Sequence, residues 1–541
     1  MNISKWLTKI VSVALALLFF NCAEKASTTS IGASVNLESL LTKDQVGAAL
    51  LPDTIAPINA PFDMPQLKKP VFADFVLSIT ETRARQNRLS TQEIQAAIDQ
   101  VHESGGGKVV IPAGDWKSGR LALKSNVNLH LEADANLYFS GEIEDFLPAV
   151  FTRHAGVEVM SLGACIYAYK QDNIAITGQG TLYGPDKGSI RDQEMTQNVI
   201  EKFVPLEKPV EERVYEGDNG SPVLLPAFIS PTNCTNVYIE GITLERTAFW
   251  NIVPVYCENV IIRGITVNSV GIPKGDGIDI VSSKNVLIEY STLNSGDDCF
   301  TMKAGRGLDG IRVNQPTENV VIRYCLAQQG HGGMTIGSET AGEIRNIYMR
   351  DCVFDNTTVG IRFKTRRPRG GGGENFYYER IRMNLKGTAF KWDMLGQEIY
   401  VGALASRLPV RAVDKLTPKF KKVYMDSILV EKAETFVKIY GIPESPLEDV
   451  TFENIQVDQT NSFFTASDAH ALRFKNVSVQ SRDSVLFLQQ IQDVVFENVD
   501  FRVGKGSVYV EVKGDSVNNI SFKHSRPAKP INWSDNHYKL P

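Results

Sequence analysis

One phrase recurs along this chain, and its spacing restricts the folds open to it. Asn236-Val-Tyr-Ile-Glu-Gly-Ile-Thr-Leu returns as Asn259-Val-Ile-Ile-Arg-Gly-Ile-Thr-Val, then as Asn285-Val-Leu-Ile-Glu-Tyr, Asn319-Val-Val-Ile-Arg-Tyr and Asn346-Ile-Tyr-Met-Arg-Asp. These asparagines lie 23, 26, 34 and 27 residues apart, and the pattern comes back around Asn454, Asn476 and Asn498 at intervals of 22. A short alternating strand repeated at this period cannot bury its apolar face alone, so successive copies must stack. The expected fold is all-β: a single-stranded parallel β-helix with Val, Ile and Leu inward and Glu, Arg and Lys outward. An asparagine at one fixed turn position fits a side-chain ladder that satisfies turn backbone groups. The repeat also explains how 541 residues can share one body, although a globular core ordinarily stops growing at roughly 250–300 residues.

Residues 91–101 carry helical spacing instead. Ser90 is placed as N-cap, with Glu93 three residues on as in a capping box, and Ser104-Gly105-Gly106-Gly107 ends the run. A short N-terminal helix leading into the strand at Lys108-Val109-Val110-Ile111 would cap the open end of the solenoid. Further upstream, Lys5 and Lys9 precede an apolar run from Ile10 to Phe20 that is too short to span a bilayer, and Cys22 follows. Residues 1–22 are therefore expected to be an export signal of the lipoprotein type with Cys22 acylated, and plain secretion is the alternative. Residues 23–70 follow as a tether or lead-in, and 71–541 as the β-helix domain. The protein would be exported, periplasmic or anchored to an outer membrane, or secreted, and would touch a membrane only through that anchor.

Of seven cysteines, the six beyond Cys22 lack the paired spacing of a zinc site and fall at matching places in the repeats, as stacked core residues do. A net charge of −5 argues against nucleic acid as partner, because there is no basic excess to neutralise phosphates. It leaves an acidic substrate open, since charge at a cleft outweighs the total. Two stretches break the rhythm: 185–226, expected as an external insertion, and 366–373 (Arg-Arg-Pro-Arg-Gly-Gly-Gly-Gly), expected as a flexible basic loop, either solvated or forming a cleft wall.

Chemistry concentrates in four motifs: Gly275-Asp276-Gly277-Ile278-Asp279, Ser295-Gly296-Asp297-Asp298-Cys299, Gly330-His331-Gly332-Gly333 and Arg362-Phe363-Lys364. Asp276 and Asp297 are 297 − 276 = 21 residues apart, about one coil, so a solenoid would stack them on one face. Each aspartate alone suits a turn. Adjacent Asp297 and Asp298 repel, however, and repulsion raises the proton affinity of one carboxyl, so that one can serve as acid and another as base. His331 among glycines has little cover, which favours tuning the acid or holding substrate. Arg362 and Lys364, two apart on a strand, share a face and suit a sugar carboxylate. Lys303 and Tyr378 are further positions that could line a cleft.

Together with Gly105-Gly106-Gly107-Lys108-Val109-Val110-Ile111-Pro112-Ala113-Gly114 and Phe249-Trp250-Asn251-Ile252, these motifs resemble the polygalacturonase (pectinase) family, the family 28 glycoside hydrolases, from about Phe72 to about Phe522. The resemblance implies a right-handed β-helix and inverting single-displacement hydrolysis of α-1,4-galacturonosidic bonds without metal or other cofactor. It implies Asp297 as general acid, Asp276 and Asp298 as the groups that activate water, His331 as tuner of the acid, and Arg362 and Lys364 as binders of the galacturonate carboxylate. The partner would be an acidic cell-wall galacturonan, and the protein a monomer. Stacked strands lie about 4.8 Å apart, whereas inverting carboxyl pairs stand roughly 6.5–9.5 Å apart, so side-chain direction must open the gap. Lys274-Gly275 replaces the family's usual Asn-Thr, which points to an altered subsite and keeps rhamnogalacturonan or a substituted galacturonan as the second substrate. The two rhythm-breaking stretches would close one end of the cleft and favour chain-end action. Outside hydrolases, the alternatives are a calcium-using polysaccharide lyase and a non-catalytic glycan-binding solenoid.

Overall fold

The asparagines that mark the repeat sit at positive φ: Asn236, Asn259, Asn285, Asn319, Asn346 and Asn375 lie between 52° and 62°. Asparagine tolerates this region better than most residues with a side chain, so each one turns the chain into its next strand. The amides stack as a ladder. Nδ2 of Asn259 donates to Oδ1 of Asn236 at 3.3 Å, and the bond repeats up to Asn375, which donates to Asn346 at 3.1 Å. These features come from a computed structural model, which describes residues 31–32, 36, 39–192, 200, 204–217 and 221–526. The expected export signal and Cys22 lie outside the described residues.

Behind each turn the strands pair in parallel with their counterparts one coil on. A single inward column runs Val237, Val260, Val286, Val320, Ile347, Phe376, Val423, Val450, Leu472 and Val494, every member buried. That connectivity is a parallel β-helix. A second inward column becomes aromatic toward the C-terminus, where Phe452, Phe474, Phe496 and Phe522 stack with ring centroids 4.6, 5.0 and 4.6 Å apart. Tyr378 belongs to this column between Met349 and Met425 and is 1% exposed, so it is a core residue rather than part of a cleft. All six described cysteines are free and buried in the stack.

The asparagine pattern proves to be two ladders, not one. Asn375 has Lys422 as its neighbour one coil on, whereas Asn454 aligns with Ser427 and Arg380, at a different corner of the coil. There Asn476 donates to Asn454 at 3.0 Å, Asn498 to Asn476 at 2.9 Å, and Asn454 to Asp426 at 2.7 Å. Both corners need positive φ, which Lys422, Arg380 and Ser427 also adopt, and an Asn-Val pair does not record which corner it serves.

The helix spans Thr91–Glu103 and buries Ile94, Ala97, Ile98 and Val101 against the first strands. Its capping box does not form: the Ser90 hydroxyl makes no bond to the helix and instead accepts from the Arg85 N–H at 3.2 Å. Residues 52–67 lie along the outside of the stack. Ile58 and Leu67 cover an outward column of Tyr238, Ile261, Leu287, Val321 and Tyr348, so the outward face is apolar where this strap crosses it. The strap's carbonyls also meet buried cations: Arg263 donates to Pro52 O at 2.6 Å, and Arg323 to Pro57 O at 2.9 Å. Among the described residues no helix is long and apolar enough to cross a membrane.

Two departures from the coil matter for the site. Val150–His154 and Val157–Ser161 form an antiparallel hairpin, and the described part of the 185–226 insertion packs on it through Val204, Tyr215 and Leu224. Arg213 of that insertion forms a buried pair with Asp309 at 2.8 Å. The basic stretch 366–373 is anchored rather than loose. Arg367 is buried, pairs with Glu444 at 2.6 Å and donates to Leu404 O at 2.7 Å. Its guanidinium is consumed by fixed acceptors, so it is neither solvated nor turned to a cleft.

Candidate active site

The four motifs meet on four stacked strands, at the starts of Ile278–Val281 and Phe300–Lys303 and within Leu326–Ile336 and Thr357–Lys364. Ile278 pairs with Phe300, Phe300 with Met334, and Met334 with Ile361. The first step is 300 − 278 = 22 residues, so Asp276 shares its register with Asp298, not with Asp297 as the 21-residue spacing suggested. Backbone bonds fix this alignment: Gly277 N donates to Asp298 O at 2.9 Å, and Cys299 N to Gly332 O at 2.8 Å. Asp297 lies beside His331, whose N–H donates to Asp297 O at 2.8 Å.

The glycines around His331 are sterically required. A Cβ at Gly332 would stand 2.6 Å from Asp298 Oδ1, and one at Gly330 2.6 Å from Cys299 Sγ. Gly296 approaches the preceding coil in the same way, where a Cβ would lie 2.1 Å from Ile272 O. These contacts let the Asp297-Asp298 turn fold flat against its neighbours.

The side chains separate into a buried and an open group. Asp276 and Asp298 are 3% and 0% exposed, whereas the side chains of Asp297 and His331 are 32% and 47% exposed. Asp298 Oδ2 accepts from Lys364 Nζ at 2.6 Å, and Arg362 Nη1 stands 3.7 Å from Asp298 Oδ1. His331 Nδ1 lies 3.3 Å from Asp297 Oδ1 and 3.4 Å from Arg362 Nη1. With Asp297 ionised the first contact needs a protonated nitrogen and the second a bare one, whereas a protonated Asp297 donates to the bare nitrogen and allows both, so the proton shared by Asp297 and His331 decides which contacts form.

Electrostatics differentiates the carboxyls. Burial pushes the Asp276 carboxyl well above its usual range, and Asp279 and Asp297 add to that by repulsion. Burial also acts on Asp298, but Lys364 and Arg362, helped by His331, outweigh it and hold that group below the usual range. The raised proton affinity anticipated for one of the adjacent pair thus falls on Asp276. Behind the cluster, Lys303 is buried 3.4 Å from Asp279 and 3.3 Å from Glu339, with its ammonium 4.4 Å from the Trp250 ring centre. Burial raises the Asp279 carboxyl to about 7, with Lys303 opposing. Asp279 was visible three residues after Asp276, but alternation alone gave it no partner. Glu339, 36 residues beyond Lys303, carried no sequence signal. Lys303 therefore sits behind the cluster as a buried ion-pair partner.

Ligand atoms of Asp297, Asp298 and His331 lie within 4.8 Å of one another, close enough to hold a cation. Two side-chain cations already face Asp298, however, and they oppose a third charge of the same sign. On the other side, the hairpin tip closes in: Gly156 is packed so that a Cβ there would stand 2.6 Å from Glu339 Cγ and 3.1 Å from Arg306 Cβ. The site is thus an open acid–histidine pair over a buried anionic pair, with cations on one flank and a hairpin on the other.

Residues 216–481, which contain all four motifs, match the family model described as "Glycosyl hydrolases family 28". A probable polygalacturonase of Vitis vinifera is 27% identical over 68% of this chain and 71% of its own length. An exo-poly-alpha-D-galacturonosidase of Dickeya chrysanthemi is 25% identical over 57% of this chain and 55% of its own. Among solved structures, the hyperthermoactive exopolygalacturonase of Thermotoga maritima superposes with a TM-score of 0.64 at 26% identity, covering 84% of this chain and 94% of that one.

Proposed function

The chain is a glycoside hydrolase of family 28, and from that premise we propose that it cleaves α-1,4-galacturonosidic bonds of pectin-type galacturonan, one unit at a time from a chain end. In this reading the exposed Asp297 gives its proton to the glycosidic oxygen as that oxygen's bond to the anomeric carbon breaks. Water attacks the same carbon from the opposite face and yields its proton to the Asp276–Asp298 pair, so configuration inverts. Asp298, held anionic by Lys364 and Arg362, suits the base. His331, on Asp297 Oδ1, sets the acid's protonation. Arg362 and Lys364 share their charge between Asp298 and the substrate carboxylate. The observation that carries the reading is the stacking of Asp276 on Asp298 with the Asp297–His331 pair beside it.

Chain-end action rests on the hairpin. Its tip stands against Glu339 and Arg306, and the 185–226 insertion buttresses it, so the cleft is blocked on that side. Of the basic stretch expected to share this task, Arg367 is held away by Glu444, whereas Arg366 donates to Ser338 Oγ at 3.2 Å, beside Glu339 and on the hairpin's side. Right-handed winding, a capping role for the Thr91–Glu103 helix, and export with acylation at Cys22 belong to the same proposal. Lys274, where the family has a neutral residue, keeps rhamnogalacturonan or substituted galacturonan as the second substrate. The test is product analysis by mass spectrometry on polygalacturonate and on rhamnogalacturonan, with wild type and Asp297→Asn. Saturated monomer from the start, absent with the variant, supports the reading. A ladder of oligomers refutes chain-end action, and full activity in the variant refutes the acid. Ultraviolet-absorbing products abolished by chelation would make the protein a lyase.

A further inference from the structure

Arg362, Lys391 and Lys438 occupy one register column on three successive coils. Their neighbours Phe363, Trp392 and Ile439 are fully buried, so alternation turns the three cations outward, stacked about 4.8 Å apart. Elsewhere on the outer surface charge is matched across coils, as where Arg263 lies between Glu240 and Glu289 at 2.6 and 2.9 Å. This column is matched only loosely, with Arg362 3.7 Å from Asp298. Asp393 stands 3.8 Å from Lys391, and Lys438 has no ion-pair partner among the described residues. Stacked like charges repel, and partial burial with Arg362 and Lys438 nearby lowers the proton affinity of the Lys391 ammonium. A row of three cations in which two are only loosely paired and Lys438 is unpaired among the described residues is suited to an external polyanion.

The row also has a direction. It starts at Arg362, beside the cleavage residues, and runs away from the hairpin that blocks the other side. One coil of the helix advances by a length comparable to one pyranose unit of an extended chain. We propose that Lys391 and Lys438 hold the carboxylates of successive uronates on the leaving-group side of the cleavage point, extending the recognition begun by Arg362. The inference rests on the galacturonan reading above. It makes the enzyme a reader of chain length and of free carboxyl groups: a dimer straddling the cleavage point reaches Arg362 only, while a tetramer reaches both lysines.

The experiment compares kcat/KM on tetragalacturonate with that on digalacturonate, for wild type, Lys391→Gln, Lys438→Gln and, as an off-track control, Lys505→Gln. The expected result is a fall of about 5-fold in the tetramer-to-dimer ratio for each track variant, the size of one partly exposed charge contact, shrinking in high salt. Lys505→Gln leaves the ratio where it was. An unchanged ratio in both track variants overturns the proposal, as does an equal loss on the two substrates. Calorimetric binding of tetragalacturonate separates this from failure of the underlying function. If wild type cuts neither oligomer, weaker binding by the track variants upholds the anion track while the galacturonan hydrolase reading falls. Unaltered binding removes the track as well.

Discussion

Lys364→Met isolates the electrostatic frame of the site. Asp298 is fully buried and its Oδ2 lies 2.6 Å from Lys364 Nζ, so the substitution strands a buried carboxylate. Removing one partner of a buried pair costs about 3–5 kcal/mol. Two features reduce that here: the Lys364 side chain is 21% exposed, and Arg362 remains 3.7 Å from Asp298. The expected penalty is therefore about 2 kcal/mol at pH 7. Its pH dependence follows from the direction of the shift. The folded pKa of Asp298 lies below its ordinary value of 3.8, so its contribution is complete above that value and is lost as pH falls through the folded pKa. Urea unfolding at pH 7 and pH 3 should show a lowered midpoint for Lys364→Met at pH 7 and a smaller gap at pH 3. Midpoints are the quantity to compare, because a solenoid need not unfold in one step. In an Asp298→Asn background the same substitution should cost close to nothing. Equal shifts at both pH values, or none at pH 7, would refute the argument.

Three further outcomes follow from the geometry. Gly332→Ala places a Cβ 2.6 Å from Asp298 Oδ1, and kcat should fall about 100-fold while far-ultraviolet circular dichroism is unchanged; normal turnover would show that the turn has slack. Asn476→Ala removes two ladder bonds, to Asn454 and from Asn498, and leaves alanine at positive φ, so the urea midpoint should drop by the equivalent of about 2 kcal/mol. Asp279, raised to about 7, binds its proton more tightly folded than unfolded, so its share of stability declines as pH rises from about 4 to 7. Thermal melts of Asp279→Asn across that range should lack this decline, and an unaltered slope would assign it to another group.

What the sequence made legible, and what it hid, divides along a physical line. The coil, its inward columns and the four motifs were visible because period and alternation are properties of local sequence. The registers were not, since a one-residue change in spacing moves Asp276 from Asp297 onto Asp298, and only the pairing of Ile278 with Phe300 decides between them. The two asparagine ladders were merged for a similar reason: both corners ask for the same backbone conformation. Residues 366–373 looked loose because Glu444 and the Leu404 carbonyl, which bind Arg367, lie 77 and 37 residues away.

The same limit bears on how the site distributes charge. Four carboxyls, Asp276, Asp279, Asp297 and Asp298, crowd one region, and burial alone would keep all the enclosed ones neutral. The coil geometry prevents this unequally. Stacking places Lys364 and Arg362 on Asp298 and Lys303 between Asp279 and Glu339, but gives Asp276 no cation within ion-pair distance among the described residues. Asp276 and Asp298 therefore share a register and differ in proton affinity, one raised and one lowered. In the proposed reaction, a pair so divided has one member to orient water as an anion while the other holds or accepts the proton, with the exposed Asp297 left to face the glycosidic oxygen. It is the lysines and arginines contributed by later coils, more than the aspartates themselves, that separate the roles. Substituting those cations should therefore displace the acid and basic limbs of the pH–rate profile even where no carboxylate has been touched.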